Sequence, residues 1–156
     1  MSGPPALSAR SRIWLLVSAA LSAVVALLHL AIIFAGPSAY TFFGAQPLGE
    51  MEAAGSMTPD LITAVLVVVF GAWSYYGLAA AETVRWRPPF MVAGFWAIGA
   101  VYTLRGLGVI PEAIGYASAV GDVPLRFVGF SAASLLIGLC HLRGAFLRRG
   151  ERRRTT

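Results

Sequence analysis

The chain has no lysine, one cysteine and two histidines, and charged residues fill only 12% of its 156 positions. Each shortage excludes something. A lone Cys140 leaves no internal disulfide and no CxxC pair, which removes thiol relays that pass electrons between cysteines. No HxxxH and no paired carboxylate ligands occur, so no metal site is expected. No nucleophile stands beside a base, so no catalytic residue is expected. All 12 basic residues are arginine, which reads as codon bias in a GC-rich genome.

What is abundant is apolar: 58% of the chain is hydrophobic and the mean hydropathy is +0.74. Soluble domains run nearer roughly 45–50% apolar and 25% charged, so lipid must solvate much of this surface. Crossing hydrocarbon of about 30 Å takes roughly 20 largely apolar residues, and four stretches approach that length: 13–34, 61–81, 90–107 and 125–142. The expected fold is all-α, an integral membrane four-helix bundle running up-down-up-down, as one transmembrane domain over 1–156. Gly36-Pro37 stops the first helix. Thr58 suits a cap and Pro59 a first turn for the second. Pro88-Pro89 forbids a continuous helix through the second junction, and Asp122 and Pro124 open the fourth. A signal peptide is the alternative for the first stretch, but its apolar run is too long and no small-x-small cleavage site follows.

Counting arginines orients the bundle. With the N-terminus inside, Arg10, Arg12, Arg85, Arg87, Arg143, Arg148, Arg149, Arg152, Arg153 and Arg154 are cytoplasmic, leaving Arg105 and Arg126 outside. That asymmetry is the positive-inside pattern. It places both termini in the cytoplasm of a bacterial inner membrane, with Glu50, Glu52, Asp60, Glu112 and Asp122 outside. The Arg-rich tail, 147–156, reads as an anchor on anionic headgroups, so membrane lipids and not nucleic acid are the expected partner. Small residues offer close helix approach: Ser18-x3-Ser22, Gly129-x3-Ala133, Ser134-x3-Gly138, and glycines 71, 77, 94 and 99. They serve equally as contacts of a homodimer or of a membrane-complex partner.

The long outer connection between the first two spans, 35–58, exceeds what a bundle needs. Its first part, with Tyr40, suits an interfacial or re-entrant segment, and its second, with Glu50 and Glu52, a more exposed one. Together they read as a lid.

Depth follows from a rise of ~1.5 Å per residue: His29 lies about 24 Å and Arg105 about 22 Å from the inner boundary. Asp60 and Arg126 start their helices at the outer side, so polar residues from four spans converge on the outer third. Ser18, Ser22, Val25 and His29 share one helix face, and Tyr102 lies three residues before Arg105 on another. The candidate ligand-binding residues are therefore His29, Tyr40, Glu52, Asp60, Tyr102, Arg105 and Arg126. Expected pairs are Arg105 with Asp60 or Glu112, and Arg126 with Asp122 or Glu52. Two readings stand side by side: the arginines line a pocket, or they snorkel to headgroups and staple helix ends. His29 and His141 sit too far apart along the bundle to share a haem or metal.

The stretch His29-Leu30-Ala31-Ile32-Ile33-Phe34, followed by Pro37 and Phe42-Phe43-Gly44-Ala45, resembles the small bacterial DoxX-like membrane proteins. The resemblance implies a four-helix inner-membrane protein with redox or quinone partners and transfers no functional residue. Three functions remain in competition. One is a protein binding a lipid-like or quinone-like ligand, or an accessory subunit. The second is a small membrane enzyme or redox-complex subunit. The third is an oligomeric transporter, weakened by the absence of an acidic residue deep in a span. No resident cofactor is expected beyond a quinone or lipid.

Overall fold

The structure is a computed structural model that describes residues 7–118 and 123–153, with side chains through Glu151. Among the described residues there are seven helices and no strand: α1 (Ala9–Ala35), α2 (Pro37–Phe42), α3 (Gln46–Ala53), α4 (Thr58–Ala80), α5 (Met91–Gly106), α6 (Val109–Ala117) and α7 (Leu125–Arg153). Four segments are long and apolar enough to cross a membrane: α1, α4, the α5–α6 stretch Met91–Ala117, and α7 through Glu151. Their large apolar side chains point outward: Leu27, Leu61, Val68, Leu104 and Leu136 are all well over half exposed. In water that surface would drive aggregation; against acyl chains it is matched.

The chain divides into two compact units, Ser22–Ala72 and the remainder, Met1–Leu21 with Trp73–Thr156. In the larger unit, backbone approach at small residues sets the packing. A Cβ added at Gly106 would come 2.3 Å from the Leu135 backbone nitrogen, and one at Gly138 2.6 Å from that of Thr103. These two glycines press α5 and α7 together. Gly77 meets Ala19 closely as well, a Cβ there lying 3.0 Å from the Ala19 backbone, and Gly144 meets the Leu15 side chain at 3.0 Å. The core beneath them is Leu15, Ala80, Ala81, Phe95 and Ala145. Of the small-residue pairs in the fourth span, Ser134-x3-Gly138 is used through Gly138, whereas Gly129 has nothing within 4 Å of an added Cβ.

Local chemistry sets the ends. Ser8 caps α1, its hydroxyl accepting from the Ser11 N–H at 3.2 Å. At the start of α4 the accepting hydroxyl belongs to Ser56, 3.2 Å from the Thr58 N–H, and not to Thr58. Thr58 is already helical, so its N–H is one of the unpaired first-turn donors. Pro59 is fully buried in that turn. Between α4 and α5 the backbone turns at Glu82 (φ 58°) and Phe90 (φ 52°). Tyr75 and Tyr76 hold this connection, donating to the carbonyls of Trp86 at 3.1 Å and Pro89 at 3.0 Å.

In the smaller unit the 35–58 connection is largely helical. Gly36 turns it with φ 76°, a conformation that suits a residue without Cβ. The helices α2 and α3 then pack closely enough that a Cβ on Gly49 would lie 2.6 Å from the Pro37 carbonyl.

Candidate functional site

In the smaller unit, three of the seven candidate residues come together. Tyr40 from α2 is 3% exposed, and its hydroxyl lies 3.2 Å from Asp60 Oδ1 and 3.0 Å from Thr63 Oγ1, both on α4. A phenol has one proton and a carboxylate only accepts. Tyr40 therefore donates to Asp60 and accepts from Thr63, giving a directed chain from Thr63 through Tyr40 to Asp60. Thr63, itself buried, escapes sequence reasoning because one threonine within Leu61–Phe70 reads as a tolerated lipid-facing residue; its i+3 spacing from Asp60 is the signal that pairs them.

Glu52, on α3, joins this group electrostatically. Burial, and then the neighbouring Asp60 charge, raise its carboxyl above the ordinary range. Burial also raises the Tyr40 phenol; the Thr63 hydrogen bond works against that, and Asp60 adds to it. Glu52 Oε2 is buried and has no hydrogen-bond partner among the described residues. The cluster is thus rich in acceptors, and its own donors are already spent within the chain of hydroxyls.

His29, also in this unit, has other partners. Its Nδ1 lies 2.8 Å from the Val25 carbonyl and its ring centroid 4.8 Å from that of Phe70. A carbonyl can only accept, so Nδ1 carries a proton and donates it. Of its face-mates, Ser18 and Ser22 are fully buried, whereas Val25 is half-buried like His29 itself.

The other three candidates belong to the larger unit. Tyr102 is 5% exposed, packed between Trp73 at 5.1 Å and His141 at 5.5 Å. Arg105 is exposed, and its Nη1 donates to the buried Ser131 hydroxyl at 2.7 Å. This departs from the carboxylate pairing expected of it. Glu112, the carboxylate offered on its own unit, keeps Oε2 buried without a hydrogen-bond partner among the described residues. The short reach from α5 to a hydroxyl on α7 is cheaper than desolvating an ion pair. Arg126, likewise exposed, lies 5.0 Å from the centre of the Phe127 ring, a cation–π placement. Its other expected partner, Asp122, lies outside the described residues.

His141 is the polar residue whose placement the sequence conceals. It is fully buried, its Nδ1 2.9 Å from the Ile137 carbonyl and its ring against Phe95 at 5.0 Å as well as Tyr102. Phe95 and Tyr102 are seven residues apart, two turns on one helix face, and that repeat is the available clue. Among the described residues no group of three or more His, Cys, Asp or Glu side chains could hold a metal ion. No family model, curated protein or solved structure matches the chain.

Proposed function

We propose that this is a small multi-pass membrane protein that binds a lipid-like or quinone-like amphiphile at its extracytoplasmic side, the headgroup donating hydrogen bonds to the Tyr40–Asp60–Glu52 cluster. The observation that carries the reading is Glu52 Oε2, a buried acceptor with no donor among the described residues. Leaving such a group unsatisfied costs about 1–3 kcal/mol, more when charged, and a hydroxyl or ammonium group on a ligand would relieve it. The sequence alone suggests an anionic or carbonyl-bearing headgroup, from its two outer arginines and His29. The acceptor-rich character of this cluster favours a donor-bearing one, such as a quinol or a hydroxylated or amine headgroup.

The same reading takes the chain as an up-down-up-down bundle in a bacterial inner membrane, with both termini cytoplasmic and the α2–α3 pair as its outer cap. Support comes from the arginine asymmetry and from contacts within the larger unit. Ser8 and Ser11 donate to Glu151, while Arg148 and Arg87 approach Glu82 at 3.8 and 3.6 Å. These contacts gather the start of α1, the end of α4 and the end of α7. An accessory-subunit role, with a DoxX-like ancestry and a homodimer or larger complex as setting, is compatible with the same site. Arg105 is assigned a stapling role between α5 and α7, from its bond to Ser131.

Purification in mild detergent followed by native mass spectrometry, with extraction and identification of lipids and quinones, tests the proposal. One co-purifying amphiphile per chain is expected, with retention falling about tenfold in Glu52→Ala, the size of one lost hydrogen bond to a charged group. Arg105→Ala with Arg126→Ala should leave retention largely intact. Unchanged retention in Glu52→Ala overturns the site, and loss in the arginine double variant moves it to the larger unit.

A further inference from the structure

We propose a second lipid site, for the phosphate of an anionic phospholipid, on the outward face of α7 at the end of the larger unit that holds Ser8, Glu82 and Glu151. It shares no residue with the headgroup site proposed above and does not rest on it.

The argument starts from Arg143. Its neighbours along the helix face, Leu139 and Phe146, are 52% and 59% exposed, so Arg143, itself exposed, stands on a surface built for acyl chains. The polar end of the unit is marked by Arg148, whose guanidinium approaches Glu82 and lies 3.8 Å from the Met91 sulfur. Arg143 is five residues short of it, about 7.5 Å back by helix rise toward the apolar stretch 125–142, whose end it adjoins. A lipid-facing charge at such a depth is costly unless it is solvated.

Snorkelling answers this poorly here. The Cα–Cβ bond tilts toward a helix's N-terminus, and on α7 that direction leads away from the polar end. The less costly solution is for a headgroup phosphate to be drawn inward to the guanidinium. Arg149, also exposed, follows at i+6 with Phe146 midway, so the two arginines leave the helix about 9 Å apart along its axis, on either side of the aromatic residue. Among the described residues neither has a hydrogen-bond or ion-pair partner. Trp96 and Phe146 pack in a T-shaped pair with ring centroids 4.6 Å apart. The pair completes an apolar seat for the first carbons of the chains, at the depth where indole rings are favoured. The charge pattern selects an anionic phospholipid over a zwitterionic one, whose ammonium group would meet two arginines.

The test is native mass spectrometry of the delipidated protein titrated with phosphatidylglycerol or with phosphatidylcholine of the same chains. Wild type should hold one phosphatidylglycerol in preference to phosphatidylcholine. Each of Arg143→Gln and Arg149→Gln should weaken that retention roughly fivefold, and the pair about twenty-five-fold, as expected for arginines at a headgroup layer. Phe146→Ala should weaken both lipids alike, and Arg126→Gln, an exposed arginine at the opposite end of α7, should weaken neither. Helicity by circular dichroism confirms that each variant is folded. Millimolar glycerol phosphate should not displace the lipid, because it lacks the chains that Phe146 and Trp96 hold. Equal retention of the two lipids, an unchanged double variant, or displacement by glycerol phosphate would each overturn the site.

Discussion

Glu52 carries two stresses at once, partial burial and the neighbouring Asp60 charge, and both favour its neutral form. Its folded-state pKa is therefore raised above the unfolded value, so the stabilising contribution is fully present below the ordinary glutamate range and fades as pH rises through the raised value. The consequence falls on the α2–α3 cap. At about pH 4 hydrogen exchange across 37–53 should be alike in wild type and Glu52→Gln, whereas at about pH 7.5 wild type should exchange faster. Equal protection at both pH values would remove Glu52 from the forces that hold the cap. Tyr40, Glu52 and Asp60 are legible in the sequence as individual candidates, since ionisable and hydroxyl groups stand out in an apolar chain. Their grouping is not. It depends on α2 and α3, helices of six and eight residues, too short for a periodic signal and each opened by a proline in its first turn. Arg105 illustrates the converse: its position is readable, but any of several serines offered a partner, and only packing selects Ser131.

The long helices are the most readable elements, because hydropathy alone fixes them once lipid is the solvent. Their ends are less so. The helix α7 runs on to Arg153, well beyond the 125–142 apolar stretch, because arginine is a good helix former and nothing between Gly144 and Gly150 breaks the turn. Small residues mark close approach without saying which ones are used, since both Gly129 and Gly138 fit the pattern. A paired measurement separates them. Gly138→Ala and Gly106→Ala each drive a methyl into backbone of the facing helix, and unfolding in detergent followed by circular dichroism should show a loss of about 1–3 kcal/mol or more. Gly129→Ala, with open space around it, should be neutral or gain up to roughly 1 kcal/mol from helix propensity. Equal losses at Gly129 and Gly138 would mean that Gly129 also lies at a helix contact, as in a homodimer.

For the whole molecule the scarce charges carry the proposed orientation. A reporter active only in the periplasm, fused after Thr156, should be silent, and the same reporter inserted in the 54–56 turn should be active. The reverse pattern would invert the topology and carry the amphiphile site to the cytoplasmic side. The contact between Glu151 and Ser8 then has a meaning in time. The carboxylate that receives the Ser8 and Ser11 hydroxyls, and the Ser8 N–H at 3.2 Å, is encoded 143 residues after Ser8. The first helix to enter the membrane must therefore wait, with its leading amides served by water and by Ser8 alone, through the insertion of every later span. Its cap is completed only when the ribosome has delivered the end of α7, so this clasp is one of the last contacts of the chain that can form.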